Sequence, residues 1–152
     1  MRKLLTICLI FTCLIFVSAC SKEEIVDGYN QVLQDIGESN LTSDKELQGE
    51  RKFDEDSYVG SYEADYKEYS GEEKIFGGTA LERDSGNEIN IECNIRREEG
   101  KIRLLLQTGD TDPKVLFEAS GNYSDTIELP SASNYITIQA DNFTGTIDLN
   151  IK

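Results

Sequence analysis

The side chains able to do chemistry in this chain are few and nearly all of one kind. The 152 residues hold 29 Asp and Glu against 15 Lys and Arg, with seven tyrosines, four cysteines, no histidine and no tryptophan. Without imidazole, the Ser-His-Asp and Cys-His nucleophile arrangements, His-containing zinc sites and the usual proton carrier at neutral pH are all missing. Oxygen ligands are plentiful, and two stretches place them where calcium would want them: Asp110 with Asp112 in one turn, and Asp54-Glu55-Asp56. Calcium takes six to eight oxygens, and alternate carboxylates on a turn supply part of such a shell. Neither stretch has EF-hand spacing, and Asp110 and Asp112 stand as the candidate ligands. A carboxylate pair for glycoside hydrolysis is set by the fold and not by spacing. With 29 acids to choose from, no catalytic residue emerges, and the expectation is a protein that is not an enzyme.

Two further features invite a chemical reading. Tyr58, Tyr62 and Tyr66 recur on one side of an alternating run, with Gly60 and Ala64 between them. A row of tyrosines over small residues could stack on sugar rings, since each offers apolar area with a hydroxyl at its edge. The same rings could instead pack against a covering element or line a sandwich interior. Cys93 lies in Ile89-Asn90-Ile91-Glu92-Cys93-Asn94-Ile95 and shares its face with isoleucines. A reactive thiolate wants nearby positive charge. The neighbours here are Glu92 and Asn94, which points to an inert core thiol.

These residues need elements to position them, and the period of the hydrophobic pattern supplies two kinds. Ser21 and Glu24 have capping-box spacing, Ile25, Tyr29, Val32, Leu33 and Ile36 follow at helical intervals, and Gly37 ends the pattern. This predicts an amphipathic helix over Lys22 to Ile36. Its polar face carries Glu23, Glu24, Asp27 and Asp35 and not the lysines of a membrane-surface helix, so its apolar stripe is expected to dock on its own domain or on a partner. Residues 38–56 are polar and acidic and read as a linker, or as a second short helix from Leu41 to Phe53.

From Tyr58 the period is two. Alternating runs cover Tyr58–Lys67, Lys74–Leu81, Glu88–Arg96, Lys101–Gln107, Lys114–Ala119, Tyr123–Leu129, Asn134–Ala140 and Phe143–Ile151. Turn residues separate them, among them Asp84-Ser85-Gly86-Asn87, Glu98-Glu99-Gly100, Ser120-Gly121-Asn122 and Asp141-Asn142. About eight short antiparallel strands with no intervening helix predict an all-β, jelly-roll-like sandwich over residues 57–152, preceded by the helix and linker of residues 20–56.

The chain's start has its own pattern. Arg2 and Lys3 precede an apolar run from Leu4 to Phe16, and Val17-Ser18-Ala19-Cys20 closes it. The run is shorter than the roughly 20 residues of a membrane span. It resembles a bacterial lipoprotein signal peptide, residues 1–19, with Val17, Ser18, Ala19 and Cys20 as the lipobox. The resemblance implies cleavage between Ala19 and Cys20, a diacylglycerol thioether on Cys20, an acyl chain such as palmitate on the new amino terminus, and a place on the extracytoplasmic face of the cell membrane. An uncleaved anchor and a secreted, unlipidated product are the alternatives. Losing residues 1–19 removes two basic groups and no acid, so the net charge moves from −14 to −16. Such a charge repels phosphate backbones, which excludes nucleic acid as a partner.

The sequence from Glu88 onward, with Ile102-Arg103-Leu104-Leu105-Leu106, Thr126-Ile127-Glu128-Leu129-Pro130 and Asn134-Tyr135-Ile136-Thr137-Ile138, is similar to the sandwiches at the C-termini of secreted bacterial peptidases and in small Gram-positive lipoproteins. The likeness implies an accessory domain. The resulting expectation is a non-catalytic module in the cell envelope that binds a glycan, a peptide or a partner protein. A spacer without ligand and a carboxylate-based hydrolase of envelope polymer are the alternatives.

Overall fold

The computed structural model describes residues 38–79, 83 and 85–152. The signal segment 1–19, the lipobox from Val17 to Cys20 and the expected helix from Lys22 to Ile36 lie outside the described residues.

Among the described residues six strands carry the fold: β1 (Gly49–Phe53), β2 (Gly60–Gly78), β3 (Glu88–Thr108), β4 (Lys114–Phe117), β5 (Gly121–Glu128) and β6 (Asn134–Ile151). All pairings are antiparallel. Strands β2, β3 and β6 run for 19, 21 and 18 residues, about twice the usual upper length of a strand. Each therefore spans two of the short runs expected from the sequence. The turn residues Glu98-Glu99-Gly100 and Asp141-Asn142 do not reverse the chain.

They bend it. The β2–β6 register slips between Tyr66 and Gly71, and the β3–β6 register slips between Arg97 and Lys101. Glu68 and Asn142 adopt φ of 48°, and Gly100 adopts 71°. A Cβ at Gly100 would run into the Asn142 carbonyl, so only glycine fits there. These bulges fold the three long strands at one level and turn a single sheet back on itself.

The result is an antiparallel β-sandwich. One layer has the order β1, β2, β6, β3, β5, built on residues 60–66, 143–151 and 88–97 of the long strands. The other has β2, β6, β3, β4, built on 71–78, 134–140 and 101–108. Tyr62, Tyr66, Ile91, Ile95, Phe143 and Ile147 from the first layer meet Phe76, Ile102, Leu104 and Ile138 from the second, all almost fully buried.

A hydrogen bond within β2 shows how sharply it folds. Tyr62 and Glu73 are 11 residues apart, about 36 Å along a straight strand, yet the Tyr62 hydroxyl lies 3.3 Å from Glu73 Oε2. Tyr66 donates to the same oxygen at 2.5 Å, and the two phenol oxygens are 3.1 Å apart. The backbone N–H of Gln48 donates to the other carboxylate oxygen at 2.6 Å. A carboxylate without water is costly unless donors surround it. These three groups supply them.

Strand β1 falls within the stretch assigned by the sequence to the linker. Its Arg51 turns inward opposite Tyr62. The guanidinium donates to the carbonyls of Ile75, Lys74 and Thr42 and to Asp44, at 3.0, 3.4, 3.0 and 2.6 Å. Thr42 in turn pairs with the backbone of Lys74. Residues 42–53 thus belong to the sandwich.

Burial, with the Glu73 carboxylate beside it, pushes the Tyr66 and Tyr62 phenols well above the usual tyrosine range. A raised folded-state pKa means the folded form keeps protons that the unfolded form loses above about pH 10. Stability is full below that pH and falls as pH rises, by about 1.4 kcal/mol per unit for each phenol held protonated. Denaturant titrations at stepwise higher pH are expected to show a falling midpoint that steepens above pH 10, with a shallower fall in Tyr66→Phe. A midpoint independent of alkaline pH would contradict this account of the core.

Candidate functional site

The residues singled out by the sequence do not form a site together. Tyr58, Tyr62 and Tyr66 are 4%, 0% and 0% exposed. Their rings belong to the core, where Tyr66 packs edge-on against Phe143 at 5.5 Å, so the row presents no platform to a sugar. Alternation alone could not tell the inward face of a first strand from an exposed one. Asp110 and Asp112 are exposed in the turn between β3 and β4. The amide of Gln107 already donates to the turn carbonyls of Gly109 and Thr111, at 2.8 and 2.6 Å. Among the described residues no cluster of three or more His, Cys, Asp or Glu is placed to hold a metal. In the other acidic stretch, Asp56 accepts from Arg83 Nε at 2.8 Å and from the Tyr58 N–H, and Glu55 accepts from Ser85. These carboxylates order the approach to β2.

Cys93 sits in the core between Ile91 and Ile95, 4% exposed. Burial, with the nearby Asp148 carboxylate adding to it, pushes the thiol up to about 12. The thiolate needed for nucleophilic chemistry is thus scarce at neutral pH. A thiol reagent added to native protein is expected to leave Cys93 unmodified over the time in which denatured protein reacts fully. Rapid labelling of the folded form would overturn the core placement.

The side chains that do converge lie outside the sandwich, at the bends. Across the four-stranded layer, Glu72, Gln139 and Arg103 stand in register as one outward row. Lys101 and Asp141 form the next row, roughly 7 Å away by two residues of rise. Between the rows run Gly71, Ala140 and Ile102, whose inward or missing side chains leave backbone as the floor. Arg97 and Glu118 complete the rim of a groove of about 870 Å³. The space below Gly71 is filled by the Tyr69 hydroxyl, so this floor is supported from within.

The groove's electrostatics differ from the rest of the molecule. Three cations, Arg97, Lys101 and Arg103, face three carboxylates, Glu72, Glu118 and Asp141, in a chain of net charge −14. Arg103 is oriented by a 2.6 Å bond to Gln139 Oε1. None of the three cations forms an ion pair with another described residue. Arginine and lysine only donate hydrogen bonds and ionised carboxylates only accept them, so the groove offers both capacities over one floor, with one Arg103 donor taken by Gln139. The sequence held a signal for it. Arg96, Arg97, Lys101 and Arg103 are the densest basic run in an acidic chain.

No protein-family model matches the sequence, and no match to it was found among the curated proteins. Among solved structures the chain is similar to BiXyn10A CBM1 in its apo form, at 13% identity over 69% of this chain and 86% of that one, with a TM-score of 0.36. It is also similar to the C-terminal CBM6 of LamC, a marine laminarinase from Zobellia galactanivorans, at 9% identity over 76% and 95%, with a TM-score of 0.32. A third likeness is to the accessory secretory protein 1, 2 and 3 structure of Streptococcus pneumoniae, at 12% identity, 76% and 96% coverage and a TM-score of 0.27. Two of these three are carbohydrate-binding-module structures. Likenesses of this strength carry no functional argument, which must come from the groove.

Proposed function

We propose that the protein is a lipid-anchored, extracytoplasmic and non-catalytic module that holds a glycan in the groove at its strand bends. The observation that carries the reading is the matched set of donors and acceptors that form no ion pair with a described residue, Arg97, Lys101 and Arg103 against Glu72, Glu118 and Asp141. A sugar hydroxyl both donates and accepts, so a polyol can satisfy both sets at once. A phosphate polymer only accepts and would meet three carboxylates. An apolar peptide finds no exposed apolar wall, because Ile102 and Ala140 are buried. The non-catalytic part of the proposal rests on the absence of histidine and the burial of Cys93. The anchor rests on the lipobox pattern at Val17, Ser18, Ala19 and Cys20.

Two measurements test this. Calorimetric titration with soluble envelope glycans is expected to show binding that weakens about tenfold or more in Arg103→Ala and in Asp141→Ala, the scale of losing a charge-assisted hydrogen bond. Circular dichroism should be unchanged in both variants, and a panel of glycans giving no heat would reduce the domain to a spacer. For the anchor, wild-type protein is expected to partition into detergent after cell fractionation, and Cys20→Ala into the aqueous phase. Equal retention of the two would sink lipidation.

A further inference from the structure

At the opposite end of the five-stranded layer stands the one exposed aromatic ring among the large hydrophobic side chains of the described residues. Phe53, at the end of β1, is 44% exposed. It is nevertheless held still. The Arg51 guanidinium carbon lies 4.7 Å from the ring centroid, and Phe76 meets the ring at 6.0 Å and 75°. Arg51 is itself fixed by the four bonds described above, and Phe76 is fully buried. The remaining ring surface opens on a cleft of about 710 Å³ with Val59 as further apolar lining.

The cleft's rim is also preset. Arg83 is tied to Asp56 and to the Gly86 carbonyl, and Ser85 donates to Glu55. The Asp54 N–H closes the turn on the Val59 carbonyl at 3.1 Å. Lys152 is set in place by its backbone, which exchanges both hydrogen bonds with Asn90. The side chains of Asp54 and Glu88 make no hydrogen bond to a described residue, and neither does the Lys152 ammonium. An aromatic face with two acceptors and one donor around it is the complement of a pyranose ring, which has an apolar face and an edge of hydroxyls.

We propose that the Phe53 cleft is a second glycan site, in which the ring stacks on a sugar while Asp54 and Glu88 accept from its hydroxyls and Lys152 donates to them. This rests on the glycan reading of the groove but uses none of its residues. Glu88 in the cleft and Arg97 in the groove are nine residues apart on β3, about 30 Å of strand. One rigid module would then grip a long polymer at two points, or join two chains. Gripping twice raises the affinity for polymer without changing the affinity of either site.

The test follows the Phe53 ring by NMR in protein labelled at phenylalanine, titrated with solubilised peptidoglycan strands and with a neutral β-glucan. One of these is expected to shift the Phe53 resonances in wild type and equally in Arg103→Ala, and Phe53→Ala is expected to weaken polymer binding about tenfold. The paired variant Asp54→Asn, Glu88→Gln should weaken it with the ring intact, which separates site loss from misfolding. If glycan shifts the groove's amides and leaves Phe53 unmoved, the second site is wrong and the groove reading stands. Silence at both places removes both. Shifts at Phe53 produced by oligolysine and not by glycan would make the cleft a cation site and overturn the proposal.

Discussion

Everything in this sandwich depends on three strands bending at the same level. A layer pair made by separate hairpins can adjust one loop at a time. Here β2, β3 and β6 each serve both layers, so a bulge missing from any of them would leave its partners unpaired beyond that point. Gly100 at φ 71° and Asn142 at φ 48° are the conformations that make the coincidence possible. The inner consequence is the Glu73 lock. A fully buried carboxylate survives in the core because the fold of β2 brings both tyrosine hydroxyls to it.

The same bend makes the outer groove. Charged side chains at neighbouring positions of flat strands would point away from one another into water. Slipping the register at Arg97–Lys101 against Asp141–Thr144 gathers Arg97, Lys101 and Arg103 onto one concavity with Glu72 and Asp141. The core and the candidate site are thus two faces of one distortion. Packing on the inside and polarity on the outside are satisfied by the same few residues.

Much of this was legible in the residues, and the parts that were not share physical causes. Alternation placed Ile89, Ile91, Cys93 and Ile95 on one apolar face, and that face is buried. It could not distinguish a bulge from a turn, because glycine and asparagine at positive φ serve both, so three long strands read as six short ones. It missed β1 because Arg51 is the inward residue there, with its guanidinium held by three carbonyls and Asp44, and a buried arginine reads as solvent-facing. The tyrosine row was found, but its exposure depends on which face the rest of the sheet covers. The groove escaped because its members, spread along the sequence from Glu72 to Asp141, come from three strands and the stretch at Glu118.

The position of β6 has a consequence for how the chain acquires its shape. It lies between β2 and β3 in both layers, and it is the last of the six strands in the sequence. Gly60 pairs with Ile151, 91 positions further on, and Ile91 pairs with the same residue. Until β6 arrives, β2 and β3 have no edge to share, and their apolar faces have no opposite wall. Contacts of such long range make folding slow. The β1–β2, β3–β4 and β3–β5 pairs need only neighbouring chain, whereas β2 and β3 are joined into one sheet only when β6 enters between them.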